Sequence, residues 1–316
     1  MSCCPRGSQL ISFYSPIQMS EGNCDILLFG TMGHIGEDVQ YCLERQRLKV
    51  IRVEFPQNVF RDESGYRRSL AKSLEHYSPA VVMPVGDSYA MSRAKDLLPA
   101  GCCATVDSPE KTALLNGKVS FSALCGKLGI RQPRLYSTVS ETGLPSAAQA
   151  GKMDKDEIVQ VVFKRDISFG GHGVHRPLSI EALNQLIAHQ RPGEPYLIEE
   201  YVSGCDYSVD AVRMGSFFSS GAYKTLSSNG NGPSLQRQSV DFPQLSEIAR
   251  RIMEKVGYNG LCGFDFRIDS NGTPYILECN PRFTAGVRTQ FEAGFDIPRL
   301  LYTLFKSGSG SVSTDD

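Results

Sequence analysis

The stretch from Leu261 to Gly286, LCGFDFRIDSNGTPYILECNPRFTAG, constrains the fold most, because its alternation and its turn residues together predict a β-hairpin. Counting outward from a tight primed turn centred on Asn271-Gly272 places Asp265 directly opposite Glu278. One face of this hairpin is predicted to be charged and the other apolar. The predicted apolar face carries Phe264, Phe266, Ile268, Tyr275, Leu277 and Cys279.

Two carboxylates that face each other on a sheet repel, so this pairing is unfavourable unless a positive charge lies between them. Oxygen ligands from Asp265, Glu278 and Asn280 suit Mg²⁺, with Mn²⁺ as the alternative, better than zinc or copper. Arg282 follows, where its guanidinium could meet a phosphate or a carboxylate. An ordinary hairpin with solvated surface charges is the alternative interpretation.

The combination of Asp265 with ECNPR at 278–282 resembles the metal-binding end of the ATP-grasp superfamily. It is most similar to the branch of carbamoyl-phosphate synthetase and the carboxylate–amine ligases. The resemblance implies an α/β protein, with an N-terminal doubly wound (Rossmann-like) pre-ATP-grasp domain followed by the α+β lobes of the ATP-grasp fold. It also implies ATP and Mg²⁺ as cofactors.

Composition is that of a globular protein and excludes two classes of partner. The chain has 33 basic and 34 acidic residues and a net charge of -1, which gives no electrostatic footprint for nucleic acid or an anionic membrane. No apolar run reaches the ~20 residues that span a bilayer, and the N-terminus lacks a signal-peptide core. The ten cysteines form no C-x-x-C pair. A cytoplasmic protein with free thiols is expected.

The N-terminal region predicts a βαβ unit after an unpatterned arm. An apolar run ends at Gly30, Gly33 and Gly36 lead into a helix, and a second strand ends at Glu54. This spacing imitates a dinucleotide fingerprint, so an NAD(P)-dependent enzyme is an alternative. The similar first unit of ATP-grasp proteins is preferred. Asp87, after a third strand, is a candidate substrate contact or a helix cap.

Two lysines are candidates for phosphate binding. By resemblance, Lys118 reaches the nucleotide phosphates from an early helix. Lys164 ends a strand before the glycine-rich SFGGHGV, whose backbone N–H groups can approach phosphates closely. The loop resembles the ATP-grasp phosphate lid, and its assigned residues are Ser168, Gly170, Gly171 and Gly173. His172 at its tip has no assigned role.

The segment YLIEEYV at 196–202 resembles the connection between the two ATP-grasp lobes. The resemblance assigns backbone groups at Glu199 and Val202 to adenine and Asp206 to the ribose hydroxyls, although family members often carry Glu at that position. The polar, glycine-rich 225–241, which contains Arg237, predicts a long loop that is either a mobile active-site segment or disordered.

These observations and the resemblance predict an ATP-dependent carboxylate–amine ligase. It forms an acyl phosphate that an amine or another nucleophile attacks, and it releases ADP and phosphate, with Arg282 and Lys164 as catalytic residues. A nucleotide-binding module without turnover is the second alternative. The partners expected are a small carboxylate and an amine, and a homodimer is left open. The predicted divisions are an arm at 1–24, the pre-ATP-grasp domain at 25–107, a helical linker at 108–155, the small lobe at 156–202, the catalytic lobe at 203–307 and a disordered tail at 308–316.

Overall fold

The computed structural model describes residues 22–31, 33–54, 62–139, 160–168, 171, 173–191, 193–228 and 234–308. Gly170 and His172 lie outside these residues, as do the predicted arm up to residue 21 and the tail from residue 309. Within them the protein has three sheets, which are linked by helices and share hydrophobic clusters.

The first sheet is parallel and has the strand order β2-β1-β3-β4. Its strands are β1 (Gly22–Thr31), β2 (Val50–Glu54), β3 (Tyr77–Pro84) and β4 (Cys103–Ala104). Its helices are α1 (Gly33–Glu44), α2 (Glu63–His76) and α3 (Ser88–Arg93), with a 3-10 turn at Lys95–Leu97. The run from Ile26 to Phe29 is fully buried, since alternate residues enter different hydrophobic clusters on the two faces. Its further identity as a pre-ATP-grasp domain stays a prediction.

The second sheet is small, antiparallel and ordered β5-β8-β6-β7. Its strands are β5 (Leu135–Val139), β6 (Val161–Arg165), β7 (Val174–His175) and β8 (Tyr196–Glu200). Helix α6 (Ile180–Ala188) buries Leu183 against Phe163 and Ile198. Strand β5 comes from the stretch predicted as a helical linker, which therefore contributes to this sheet.

The third sheet, the large sheet, is antiparallel with the order β11-β10-β9-β12-β13. Its strands are β9 (Cys205–Met214), β10 (Phe217–Ser228), β11 (Ser234–Val240), β12 (Gly260–Ile268) and β13 (Pro274–Asn280). Helices α4 (Pro109–Asn116), α5 (Lys118–Lys127) and α7 (Pro243–Val256) accompany it, followed by α8 (Val287–Glu292) and α9 (Ile297–Gly308). Apolar side chains of α5 and α7 cover one face of the sheet.

The long loop predicted at 225–241 is wrong for most of its length. Strand β10 continues to Ser228, and β11 pairs with it from Ser234 onward. The polar composition hid these strands because few of their side chains enter a core, so the alternation of apolar residues that identifies a strand is weak.

The predicted pairing of Asp265 with Glu278 is confirmed, but by a different route. The turn is not a primed one: Asn271 keeps a negative φ, and Gly272 alone has φ of 78°. The N–H of Gly272 donates to the Asp269 carbonyl at 3.0 Å, so the turn is one residue longer than predicted. A register shift between Asp265 and Phe266 offsets the extra turn residue, so Asp265 still lies opposite Glu278.

The extra residue in β13 at this shift is Leu277, which forms a β-bulge. Ile276 and Cys279 therefore both enter the hydrophobic cluster, while Tyr275 and Leu277 stay half-buried. The predicted apolar face is thus wrong for Tyr275 and Leu277. The longer turn moves Tyr275 to the other face, and the bulge at Leu277 returns the residues after it to their predicted faces.

Gly263 offers a test of how closely the large sheet is packed near the acidic pair. A β-carbon at Gly263 would lie 2.1 Å from Thr284 Cγ2, whereas one at Gly126 in α5 has its nearest contact at 3.5 Å. We expect Gly263→Ala to lower the free energy of unfolding by about 1–3 kcal/mol through overpacking. Gly126→Ala, the matched control, should be neutral or stabilising. Urea denaturation of both variants measures this, and equal stabilities would contradict the packing described.

Candidate active site

Two rows of side chains cross the large sheet on the face opposite its hydrophobic cluster. The first row, taken across β10, β9, β12 and β13, is Tyr223, Ser208, Asp265 and Glu278. The second row is Gly221, Asp210, Gly263 and Asn280. Since residues two apart on a strand share a face, the two rows lie side by side.

The predicted metal-ligating residues are brought together in these rows by direct hydrogen bonds. Asn280 Nδ2 donates to Asp265 Oδ2 at 3.1 Å and to Glu278 Oε1 at 3.2 Å. Ser208 Oγ donates to Asp265 Oδ1 at 2.6 Å. Arg282 Nη2 donates to Asn280 Oδ1 at 3.0 Å. The ordinary solvated hairpin is therefore excluded.

The facing carboxylates have opposite protonation tendencies. Burial and the charge of Glu278 raise the pKa of Asp265 to about 7, against the hydrogen bond from Ser208. Burial would also raise the pKa of Glu278, but the ammonium groups of Lys118 and Lys164 bring it down to about 2. At neutral pH Glu278 is ionised, while Asp265 titrates and would gain from a cation.

Lys118 is buried at the start of α5, although a lysine at a helix surface is ordinarily solvated. Only 5% of its side chain is exposed, and its Nζ lies 3.3 Å from Glu278 Oε2. The same ammonium donates to Ser168 Oγ at 3.2 Å. Lys118 thus connects the glycine-rich loop to the acidic pair.

Lys164 is buried as well and forms an ion pair with Glu199, whose side chain is 7% exposed. Its Nζ also donates to the Leu277 carbonyl at 3.5 Å. Leu277 is the bulged residue of β13, so the bulge turns a main-chain oxygen towards this lysine. Lys118 and Lys164 therefore approach the acidic pair from two different elements.

The described part of the glycine-rich loop is closed by its own backbone. Arg165 N–H donates to the Gly173 carbonyl at 2.8 Å, and Val174 N–H donates to the Gly171 carbonyl at 3.1 Å. A β-carbon at Gly173 would lie 2.6 Å from Ser168 Oγ. Gly173 therefore lets the loop close against Ser168, beside Lys118.

A cleft of about 490 Å³, counted with its open mouth, lies between the small sheet and the large sheet. Its lining includes Lys164, Glu199, Glu200, Tyr201, Val202 and Arg267. Strand β8 lies between β5 and β6, so the backbone of Glu199 is committed to the sheet. Glu199 lines the cleft, and its assignment to adenine stays a prediction.

The other two residues assigned to the nucleoside both contact Arg267. Asp206 is 44% exposed and lies 2.6 Å from Arg267 Nε through Oδ1. The carbonyl of Val202 accepts a hydrogen bond from Arg267 Nη1 at 3.2 Å. Val202 and Arg267 line the cleft, and Asp206 lies next to it through Arg267. The roles assigned to Val202 and Asp206 stay predictions.

The sequence interpretation missed a buried group behind Arg282. Thr284 Oγ1 donates to Asp210 Oδ1 at 2.8 Å, and Asp210 is 1% exposed. Burial raises the pKa of Asp210 to about 7, although the hydrogen bond from Thr284 opposes this. The segment carrying Arg282 is thereby tied to β9. The alternation of DYSVDAV at 206–212 was the available signal, since it places Ser208 and Asp210 on one face.

Asp87 is a helix cap, as one of the two interpretations predicted. Its Oδ1 accepts a hydrogen bond from the Ala90 N–H at 2.8 Å at the start of α3. Burial raises the pKa of Asp87, and the charge of Arg282 opposes this shift. The carboxyl end of β3 therefore lies near Arg282.

The donor set fits Mg²⁺ bound together with phosphate. Within the described ranges, no cluster of three or more His, Cys, Asp or Glu side chains could hold a metal ion. The site offers carboxylate oxygens from Asp265 and Glu278, and Asn280 would supply an amide oxygen by turning over the amide whose Nδ2 now faces them. Mg²⁺ characteristically keeps several waters and takes the rest of its ligands from substrate phosphates. A metal would thus bind with a nucleotide and not as a permanently caged ion.

A family model described as "ATP-grasp in the biosynthetic pathway with Ter operon" matches residues 193–315. The carbamoyl phosphate synthase large chain of Deinococcus radiodurans is 26% identical over 224 residues, covering 66% of this chain and 21% of that protein. The arginine-specific large chain of Bacillus subtilis is 24% identical over 214 residues, covering 64% of this chain and 20% of that protein. The chain thus spans about a fifth of the length of these curated relatives.

Solved structures agree on the fold over nearly the whole chain. A biotin carboxylase from Campylobacter jejuni superimposes with a TM-score of 0.66 at 16% identity, covering 92% of this chain and 72% of that one. D-alanyl-alanine synthetase A from Vibrio cholerae gives a TM-score of 0.65 at 15% identity, covering 93% of this chain and 100% of that one.

No helix in the described part of the chain has the length and apolar character that crossing a bilayer requires.

The family model over residues 193–315, the carbamoyl phosphate synthase relatives and the shared fold agree: this chain is similar to proteins of the ATP-grasp superfamily, and the three findings together support that superfamily.

Proposed function

We propose that the protein is an ATP- and Mg²⁺-dependent ligase that joins a carboxylate to an amine through an acyl phosphate. The observation that carries this proposal is that two buried lysines meet β13 at the facing carboxylate pair. Lys118 contacts Glu278, and Lys164 contacts the carbonyl of the preceding Leu277, while Arg282 contacts Asn280. A triphosphate next to two carboxylates needs both a metal and fixed ammonium groups, since like charges 4 Å apart repel by about 4 kcal/mol at an effective dielectric of 20.

The nucleotide would lie along the rows of the large sheet. Val202 and Glu199 border the cleft that would take the adenine, and Asp206 would accept the ribose hydroxyls. Lys164 and Lys118 would bind phosphates, and the backbone of Gly171 and Gly173 would close over them. Gly170 belongs to the same loop by sequence.

Asp265, Glu278 and Asn280 would hold Mg²⁺, which when bound neutralises the β- and γ-phosphates during transfer. The carboxylate substrate would attack the γ-phosphorus, and the bond from that phosphorus to the β-bridging oxygen would break to release ADP. Arg282 would stabilise the negative charge on the transferring group. The amine would then attack the acyl carbon, lose a proton and expel phosphate.

The acceptor substrates would bind on the side of Arg282 that faces Asp87. Relatives and neighbours named as a carbamoyl phosphate synthase and a D-alanyl-alanine synthetase support a ligase in general terms. The loops near Arg282 and Asp87 would determine which carboxylate and which amine bind. Their sequences contain no motif that identifies a substrate.

An ADP-release assay over a matrix of carboxylates and amines tests the proposal. The matrix contains amino acids, hydroxy acids and bicarbonate, each with and without an amine, in the presence of Mg²⁺. We expect at least one pair to release ADP and phosphate together, and Arg282→Met to abolish that release while ATP still binds. ATP binding without ADP release under every mixture would favour a nucleotide-binding module without turnover.

Lys164→Met tests the assignment of this lysine to phosphate. A hydrogen bond to a charged group contributes about 1.5–3 kcal/mol, so the affinity for MgATP should fall at least about tenfold. The affinity for adenosine should stay nearly unchanged, because the lysine is assigned to phosphate and not to the base. Isothermal titration calorimetry with both ligands measures this.

The control for that variant is Lys164→Met combined with Glu199→Gln. Removing Lys164 alone leaves the buried Glu199 without its cation, which by itself can destabilise the fold. The double variant removes that charge and should show the same selective loss of MgATP. An equal loss for MgATP and adenosine in both variants would refute the phosphate assignment.

Asp265→Asn and Glu278→Gln should change stability in opposite directions at pH 8 in metal-free buffer. The pKa of Asp265 is raised to about 7, so the stability it contributes is complete below its ordinary pKa and is lost as pH rises through 7. Asp265→Asn should therefore be more stable than the wild type at pH 8 but not at pH 5, by more than about 1 kcal/mol, since one pKa unit is worth about 1.4 kcal/mol.

Glu278→Gln has the reverse expectation because the pKa of Glu278 is lowered to about 2. The stability it contributes is present above its ordinary pKa and is lost only as pH falls through 2. The variant should thus be less stable than the wild type at both pH values, with Lys118 left unpaired. Chemical denaturation of both variants and the wild type at pH 5 and pH 8, with EDTA, measures both effects. If the stability difference between Asp265→Asn and the wild type is the same at the two pH values, the electrostatics described here are wrong.

A further inference from the structure

Arg267 lies on β12, the strand that carries Asp265, and its side chain holds the part of the cleft assigned to the nucleoside. It follows Asp265 by two residues on β12, so both side chains leave the same face. In the antiparallel register Arg267 lies directly opposite Asp206 on β9. The pair Asp206–Arg267 is therefore the next row of the large sheet, about 7 Å from the row of Asp265.

The guanidinium of Arg267 binds two groups of one segment. This segment, Tyr201–Asp206, consists of the connection from β8 of the small sheet to β9 of the large sheet and the first two residues of β9, and we call it the strap. Arg267 Nε lies 2.6 Å from Asp206 Oδ1, within ion-pair distance but without the angle of a hydrogen bond. Arg267 Nη1 donates to the Val202 carbonyl at 3.2 Å. The arginine is only 19% exposed, so this contact is protected from solvent.

Two further contacts hold the strap in place. The ring of Tyr201 is close to two guanidinium groups, that of Arg176 at 3.7 Å and that of Arg267 at 5.7 Å from its centroid. A β-carbon at Gly204 would lie 2.0 Å from the Ile268 carbonyl, so the strap packs directly on the end of β12. These contacts therefore hold the part of the cleft lining that the strap contributes in a fixed position relative to β12.

We propose that Arg267 is a specificity-determining residue that makes this site select ribonucleotides over deoxyribonucleotides. The inference rests on the proposed function, in which Asp206 accepts the ribose hydroxyls. Arg267 holds one carboxylate oxygen of Asp206 and orients the other. The Asp206 side chain is 44% exposed and lies beside an arginine that lines the cleft. Arg267 also balances the charge of Asp206, which a nearby triphosphate would otherwise repel.

The length of the side chain at position 206 explains why the arginine is needed. Aspartate reaches less far than the glutamate that family members often carry, so an unheld Asp206 could turn away from a sugar without losing any other contact. A carboxylate held by a fixed guanidinium keeps its second oxygen in one place, and a preoriented acceptor discriminates more strongly than a mobile one. Selectivity for the sugar then depends on Arg267 as much as on Asp206.

Isothermal titration calorimetry tests this without knowledge of the carboxylate or the amine. Wild type, Arg267→Met, Asp206→Asn and the double variant are titrated with ATP, 2′-deoxy-ATP and 3′-deoxy-ATP in Mg²⁺ buffer. We expect the wild type to prefer ATP over at least one deoxy analogue by about tenfold, the value of one charged hydrogen bond. Each single variant should reduce that preference to about twofold or less, and the double variant should reduce it no further.

Two more variants keep the test decisive. Arg267→Gln retains a donor for the Val202 carbonyl but no charge for Asp206, and it should lose the sugar preference even if Arg267→Met fails to fold. Arg250→Met, an exposed arginine on α7, is the matched control and should keep the preference.

Retained preference in Arg267→Gln, or a wild type that binds all three nucleotides equally, would overturn the role of Arg267. A wild type that binds no ATP would instead overturn the proposed function.

Discussion

The repulsion between Asp265 and Glu278 is the constraint on which the rest of the site depends. The antiparallel register places the two carboxylates opposite each other, and burial strengthens their interaction. The neighbouring side chains offset this negative charge: Lys118 pairs with Glu278, while Ser208 and Asn280 donate hydrogen bonds to Asp265. The unequal pKa values of the pair follow directly. Because the two carboxylates repel each other, the site favours binding of a cation, and a metal–nucleotide complex can supply one.

The large sheet also organises the remaining chemistry. Successive rows along β9 and β12 carry Arg267 with Asp206, then Asp265, then Asp210, so one face runs from the nucleoside cleft to Arg282. The bulge at Leu277 adds a carbonyl for Lys164, and Gly263 leaves room for Thr284 behind Asn280. Distances along strands, which are nearly fixed, thereby set the spacing of the whole site.

Much of this could be predicted from the sequence, and the failures have physical causes. The pairing of Asp265 with Glu278 was predicted because hairpin alternation is local, and a longer turn and a bulge happened to compensate each other. Leu277 was misplaced because a bulge leaves no mark on alternation. The Lys164–Glu199 pair and Arg267 were missed because they join residues distant in sequence. The polar strands at Ser228 and Ser234 were missed because they bury few apolar side chains.

The central claim is that Asp265 and Glu278 hold Mg²⁺ together with the phosphates of ATP. The most direct measurement compares the affinity for ATP with Mg²⁺ and with EDTA, in the wild type and in Asp265→Asn. The account predicts that Mg²⁺ strengthens ATP binding strongly in the wild type and hardly at all in the variant, while affinity in EDTA stays the same or rises as one repelling charge is removed. An Asp265→Asn protein that retains the full effect of Mg²⁺ on ATP binding would contradict it.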